Sequence, residues 1–215
     1  MTRIKICGIT NKEDARAAID YGADALGFIF VPQTPRYVGS AIEVETLLTG
    51  LPPFVARVGV CLQPAQIPIS VIDQLTTVQF YSDDWHSDWT SRKDLVQAVR
   101  VRDMESLDEI ARTLESGKRR LAGLHLDAYH KDKLGGSGET FDWEVAIEAK
   151  RRFSLPLILA GGLTPENIEE AIAAVRPFAV DVSSGVEAEP GRKDHGKLKA
   201  FLQAVRRADS SLQRT

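Results

Sequence analysis

The sequence is expected to fold as a (β/α)8 barrel of the TIM type: one domain over residues 1–215, with a parallel eight-stranded sheet and a short or missing fourth helix. Three observations support this. Apolar period alternates between two and 3.6 along nearly the whole chain, as in repeated βα units. The 215 residues suit one barrel. Two glycine-bearing turns, Gly161-Gly162 and Ser183-Ser184-Gly185, close the last two expected strands, where this fold recurrently holds phosphate.

The first strand is Ile4-Lys5-Ile6-Cys7. Thr10 and Glu13 form a Thr-x-x-Glu pattern that predicts a capped helix carrying Ala15, Ala18 and Ile19 inward. Ala25 to Phe30 is a near-continuous apolar run, as in a strand covered on both faces. A loop with two prolines and Arg36 follows, then a helix over 42–51, a third strand over 55–62, a helix over 67–75 and a fourth strand over 77–81. Residues 82–89 are polar and show no helical period, which predicts that the fourth helix is lost or cut to a turn.

Leu95 to Val101 is the fifth strand, and Asp103 caps a helix with Met104, Leu107, Ile110, Ala111 and Leu114 on one face. The sixth strand, Leu121 to Ala128, ends near Asp127, and a long glycine-rich loop reaches Glu139. Trp143, Ala146 and Ile147 belong to the next helix, and Pro156 to Gly162 forms strand seven. Thr164-Pro165-Glu166 reads as a cap with proline at the first helical position. Ala179 to Gly185 is strand eight, and Leu198, Phe201, Leu202 and Val205 mark the closing helix.

Composition excludes several classes of function. A net charge of −3 and a pI near 5.9 give no reason to expect nucleic acid or an anionic membrane. No apolar run approaches the ~20 residues of a membrane span. The two cysteines are too few for a disulfide framework, and a cytoplasmic chain is expected.

Active sites of such barrels lie at the C-terminal strand ends. Cys7 and Asp127 end strands on opposite sides of the ring, one suited to accept a proton and the other to donate it. An ordinary thiol near pKa 8.5 is about 3% ionised at pH 7, and Lys5 lies two residues away on the same face. A carboxyl among apolar walls has its pKa raised and donates near neutrality. Gly161, Gly162, Ser183, Ser184 and Gly185 offer backbone amides to a phosphorylated small molecule. Arg36 suits a substrate carboxylate held through two parallel hydrogen bonds.

With these pieces placed, the sequence resembles the phosphoribosylanthranilate isomerases of tryptophan biosynthesis. The resemblance rests on Lys5-Ile6-Cys7-Gly8-Ile9-Thr10, on Gly27-Phe28-Ile29-Phe30 with Thr34-Pro35-Arg36-Tyr37-Val38, and on residues 135–143, reading GGSGETFDW. Residues 159–167 (LAGGLTPEN) and 180–187 (VDVSSGVE) complete it. It implies an Amadori rearrangement without metal or organic cofactor, by a monomer or homodimer. Asp127 would be the general acid, Cys7 the general base, Arg36 the anthranilate-carboxylate ligand and Asp181 a supporting substrate contact. Gly162, Ser184 and Gly185 would offer amides to the phosphate.

The chain departs from the family pattern at three places. Gln79-Phe80-Tyr81-Ser82 stands where Gln-Leu-His-Gly is usual, His125 replaces an aliphatic residue, and Cys61-Leu62-Gln63 replaces a Phe-Val-Asn type of ending. The altered fourth strand motivates a second reading, a barrel that binds a phosphorylated ligand without converting it. A metal site built on His125, Asp127 and His130 lacks histidine from any other strand end, since His86 and His195 fall in a loop and a helix; His125 is expected to be a hydrogen-bonded core residue. A purely structural or interaction module is disfavoured by the intact set of site residues.

Overall fold

The computed structural model describes residues 1–81, 93–116, 121–128 and 143–213. Eight parallel strands close into a barrel in sequence order: β1 (Arg3–Cys7), β2 (Ala25–Ile29), β3 (Ala56–Cys61), β4 (Thr77–Phe80), β5 (Asp94–Val101), β6 (Gly123–Ala128), β7 (Leu157–Leu159) and β8 (Ala179–Val182). β1 joins β8 with Lys5 opposite Asp181, and β2 with Cys7 opposite Gly27. The helices described are α1 (Lys12–Asp20), α2 (Ala41–Leu48), α3 (Ile69–Ile72), α4 (Glu105–Ser116), α5 (Trp143–Arg152), α6 (Ile168–Val175) and α7 (His195–Leu212). Among the described residues, no helix is long and apolar enough to cross a membrane.

Strand alternation sorts side chains onto two faces. Ile4, Ile6, Leu124, Leu126, Val180 and Val182 point outward into the main core, where they meet Phe201, Leu202 and Ile172 of the helices. Burying each such side chain contributes about 1.5–3 kcal/mol. The alternate positions Lys5, Cys7, His125 and Asp181 turn into the barrel and are themselves buried. The apolar mass thus lies between sheet and helices, and polar groups line the barrel between β1, β6 and β8.

Several local expectations shift. Asn11, not Thr10, caps α1: its side chain accepts from the Asp14 amide at 2.8 Å. The Thr10 hydroxyl instead donates to the Gly191 carbonyl at 2.6 Å, a long-range bond that the local Thr-x-x-Glu pattern could not reveal. Asp103 does accept from the Ser106 amide, at 3.0 Å. The Thr164 hydroxyl accepts from the Glu166 amide, and its carbonyl accepts from Ile168, so a turn led by Pro165 opens α6.

Met104, placed on the inner face of its helix, is 47% exposed because it precedes α4. The helix expected over 67–75 shrinks to the four residues of α3. Strand eight stops at Val182, and Ser184–Val186 coil into a 3₁₀ turn. A hairpin that periodicity did not predict follows, β9 (Glu187–Glu189) with β10 (Arg192–Lys193). The polar stretch 82–89 and the glycine-rich loop 129–142 lie outside the described residues, as does the fate of the fourth helix.

Candidate active site

The end of β1 brings Lys5 and Cys7 to the inner face, both against Gly27 of β2. A Cβ built on Gly27 would stand 2.8 Å from the Cys7 Sγ and 3.1 Å from the Lys5 Nζ, so any larger residue there would displace them. Lys5 donates to Asp181 Oδ2 at 2.7 Å, and His125 Nε2 meets the same oxygen at 2.8 Å. Burial opposes the charge on Asp181, but Lys5 and His125 outweigh it and hold the carboxyl at about 2. Burial likewise opposes the Lys5 ammonium, yet Asp181 and Cys7 beside it raise its pKa. For Cys7 burial wins: its thiol is pushed above the usual 9.0, against the pull of Lys5 and Lys193. The resting group is therefore a thiol.

Asp127 ends β6 on the same rim and face, two residues beyond His125. It is half-buried, and its Oδ2 accepts from the Tyr81 hydroxyl at 3.2 Å. A polar partner, rather than purely apolar walls, therefore faces this carboxyl. Tyr81 follows β4 and packs against the cluster that Cys7, Val58 and Val60 form.

Arg36 crosses the end of β1 because Gly8 leaves room: a Cβ there would stand 2.7 Å from the Arg36 Cδ, and the φ of +76° also favours glycine. One edge of the guanidinium is already paired, Nε to Glu187 Oε1 at 2.9 Å and Nη2 to Oε2 at 2.7 Å. Five N–H donors leave the Nη1 edge for another anion. Lys193, fully buried, binds Glu187 Oε1 at 2.9 Å and also donates to the Cys7 and Ser183 carbonyls at 2.6 and 3.2 Å. Burial opposes the charge on Glu187, but Arg36 and Lys193 hold its pKa down.

Beside this cluster lies a cavity of about 270 Å³ lined by Gly162, Leu163, Thr164, Pro165, Glu166, Ser184, Gly185 and Lys197. Gly161 and Gly162 have φ of +87° and +64°. A Cβ on Gly185 would fall 1.9 Å from the Leu163 carbonyl oxygen, so only glycine lets the loops after β7 and β8 close together. Gly161 and Ser183 adjoin this cavity in sequence without lining it, and the buried Ser183 hydroxyl has no partner among the described residues.

The described candidates thus gather at one rim, and His130 lies outside the described residues. Residues 4–204 match the family of N-(5'-phosphoribosyl)anthranilate (PRA) isomerases. The chain belongs to that family. It is 42% identical over 213 residues to the N-(5'-phosphoribosyl)anthranilate isomerase of Trichlorobacter lovleyi, covering 97% of this chain and 100% of the relative. The Geobacter sulfurreducens enzyme is 43% identical, with 96% and 99% covered. The crystal structure of the Thermotoga maritima phosphoribosylanthranilate isomerase superposes with a TM-score of 0.82 at 38% identity, over 96% of this chain and 99% of that one. A second solved isomerase, in complex with reduced 1-(o-carboxyphenylamino)-1-deoxyribulose 5-phosphate, gives 0.77 at 37% identity, again over 96% and 99%.

Reasoning from the sequence missed Glu187 and Lys193 as the brace on Arg36, and it treated Tyr81 as a departure without a contact. His125 is indeed a hydrogen-bonded core residue, 2% exposed. The available signal was period two: Lys5 with Cys7, His125 with Asp127, and Gln79 with Tyr81 share a face on their strands.

Proposed function

We propose that this chain isomerises N-(5-phosphoribosyl)anthranilate to 1-(2-carboxyphenylamino)-1-deoxyribulose 5-phosphate, with Asp127 as general acid and Cys7 as general base. Asp127 gives its proton to the furanose ring oxygen. The C1′–O bond breaks and the anthranilate nitrogen lone pair forms an iminium. The minor thiolate form of Cys7, its own proton already lost to solvent, then removes the C2′ proton; those electrons form the C1′–C2′ double bond while the iminium π electrons return to nitrogen, giving an enolamine. Its tautomerisation moves the 2′-hydroxyl proton to C1′ and leaves the ketone. Each proton transfer of this kind contributes about 10²–10⁴ in rate.

What supports this reading most is the convergence on one rim of a thiol and a carboxyl, with Tyr81 bonded to the carboxyl and packed on the cluster that holds the thiol. Lys5 and Lys193 favour the ionised sulfur that the second step requires. The Nη1 edge of Arg36 suits the anthranilate carboxylate, and Asp181 supports the base through Lys5. Gly161, Gly162, Ser183, Ser184 and Gly185 form the turns that receive the phosphate.

The test is to add phosphoribosylanthranilate to the purified protein and follow its anthranilate-type fluorescence. Conversion to the ketose supports the reading. A phosphorylated ligand bound without conversion would leave only a binding barrel.

A further inference from the structure

We propose that Tyr81 is a positioning residue for proton donation: its hydroxyl holds one oxygen of Asp127, so that the transferable proton resides on the other. The proposal rests on Asp127 being the general acid. Tyr81 donates to Oδ2 at 3.2 Å, and because the carbonyl oxygen of a protonated carboxyl is a better acceptor than its hydroxyl oxygen, this bond favours Oδ2 as the unprotonated one. Oδ1 then carries the proton, and rotation of the carboxyl is restricted.

The ring that does this is itself held on two sides. It packs against the cluster that Cys7, Val58 and Val60 form. On the other side the Arg100 guanidinium lies 5.6 Å from the ring centroid. Arg100 pairs in register with Asp127 across β5 and β6, so ring, cation and carboxyl form one patch of the rim. Burial, the largest cause, keeps the phenol well above its usual range, so it remains a donor whether or not Asp127 carries its proton. Among the described residues, the charged or titratable groups that act on this ring are Asp127 on β6, Arg100 on β5, and Cys7 and Asp181 across the barrel.

The experiment compares the parent with Tyr81→Phe, with 3-fluorotyrosine incorporated at position 81, and with Asp127→Asn. The readouts are steady-state kinetics and the carbon-13 titration of the Asp127 carboxyl, assigned by its absence in Asp127→Asn. Loss of the donor should lower kcat about 10-fold with KM within about 2-fold, and should move the Asp127 titration to higher pH. The more acidic fluorophenol should move it to lower pH. A packing role alone shifts neither.

Superimposable titrations in parent, Tyr81→Phe and 3-fluorotyrosine protein overturn the proposal while an inactive Asp127→Asn leaves the acid assignment standing. Turnover by Asp127→Asn at the parent rate overturns both. If Tyr81→Phe does not fold, the 3-fluorotyrosine shift decides alone.

Discussion

The two walls of the barrel mouth are built differently. On the β1–β8 wall, Cys7 sits among Lys5, Lys193 and Gly27, and the cations are tied to Asp181 and Glu187 at 2.7 and 2.9 Å. On the β4–β6 wall, the Asp127 side chain accepts from the Tyr81 hydroxyl at 3.2 Å. The proposed base is locked into the charge network of the fold. The proposed acid is held by one side chain that follows β4.

The largest expected effect tests whether both walls serve one reaction. Cys7→Ala and Asp127→Asn should each lower kcat by about 10²–10⁴-fold. Neither should change the circular dichroism spectrum. A variant at parent activity would remove its wall from the chemistry.

A different consequence belongs to the β1–β8 wall alone. Lys5→Met removes one partner of a buried ion pair and leaves Asp181 charged beside an apolar chain. Breaking such a pair costs about 3–5 kcal/mol, measurable by urea unfolding. The same change removes a cation that favours the thiolate, so alkylation of Cys7 should need still higher pH than in the parent. Cys61, pushed up to about 12 by burial, serves as the internal control. The Tyr81→Phe change on the opposite wall should leave Cys7 alkylation largely where it was, and a large shift would show that the walls are not independent.

Acid sensitivity should also separate the walls. The Asp181 carboxyl is held down at about 2, below its usual 3.8. A depressed folded value means stability that is present above the unfolded pKa and lost as pH falls from about 4 through 2. The contribution is on the order of 2 kcal/mol. His125→Leu removes one of the two groups that depress Asp181, so its acid unfolding midpoint should move to higher pH. An unchanged midpoint would mean that Lys5 alone holds the charge.

The same contrast explains what could be read in advance. Ile4-Lys5-Ile6-Cys7 and the turns after strands seven and eight are local patterns, and the structure places them as their period and glycines imply. Asn11 took the cap expected of Thr10 because Thr10 bonds to Gly191, 181 residues away. Glu187 and Lys193 were invisible for the same reason: their hairpin reaches Arg36 from the other end of the chain. Position 81 was visible as an unusual residue, but its partner lies 46 residues later, and periodicity carries no information about that pairing.

The smallest effect tests how the β1–β8 wall reaches the substrate. Glu187 grips one edge of Arg36, so Glu187→Gln, which keeps the shape and loses the charge, should loosen the guanidinium without touching Cys7 or Asp127. Weakening one charged hydrogen-bonded pair by about 1–1.5 kcal/mol corresponds to roughly a 10-fold rise in KM, with kcat nearly constant. If the free edge of Arg36 binds the anthranilate carboxylate, the penalty should vanish for the aniline analogue, which lacks that group. A penalty equal for both substrates would instead mean that Glu187 acts through Lys193 on the main chain beneath Cys7 and Ser183, where the Lys193 ammonium bonds both carbonyls. The defect would then lie in how the base is held, on the wall where the network is densest.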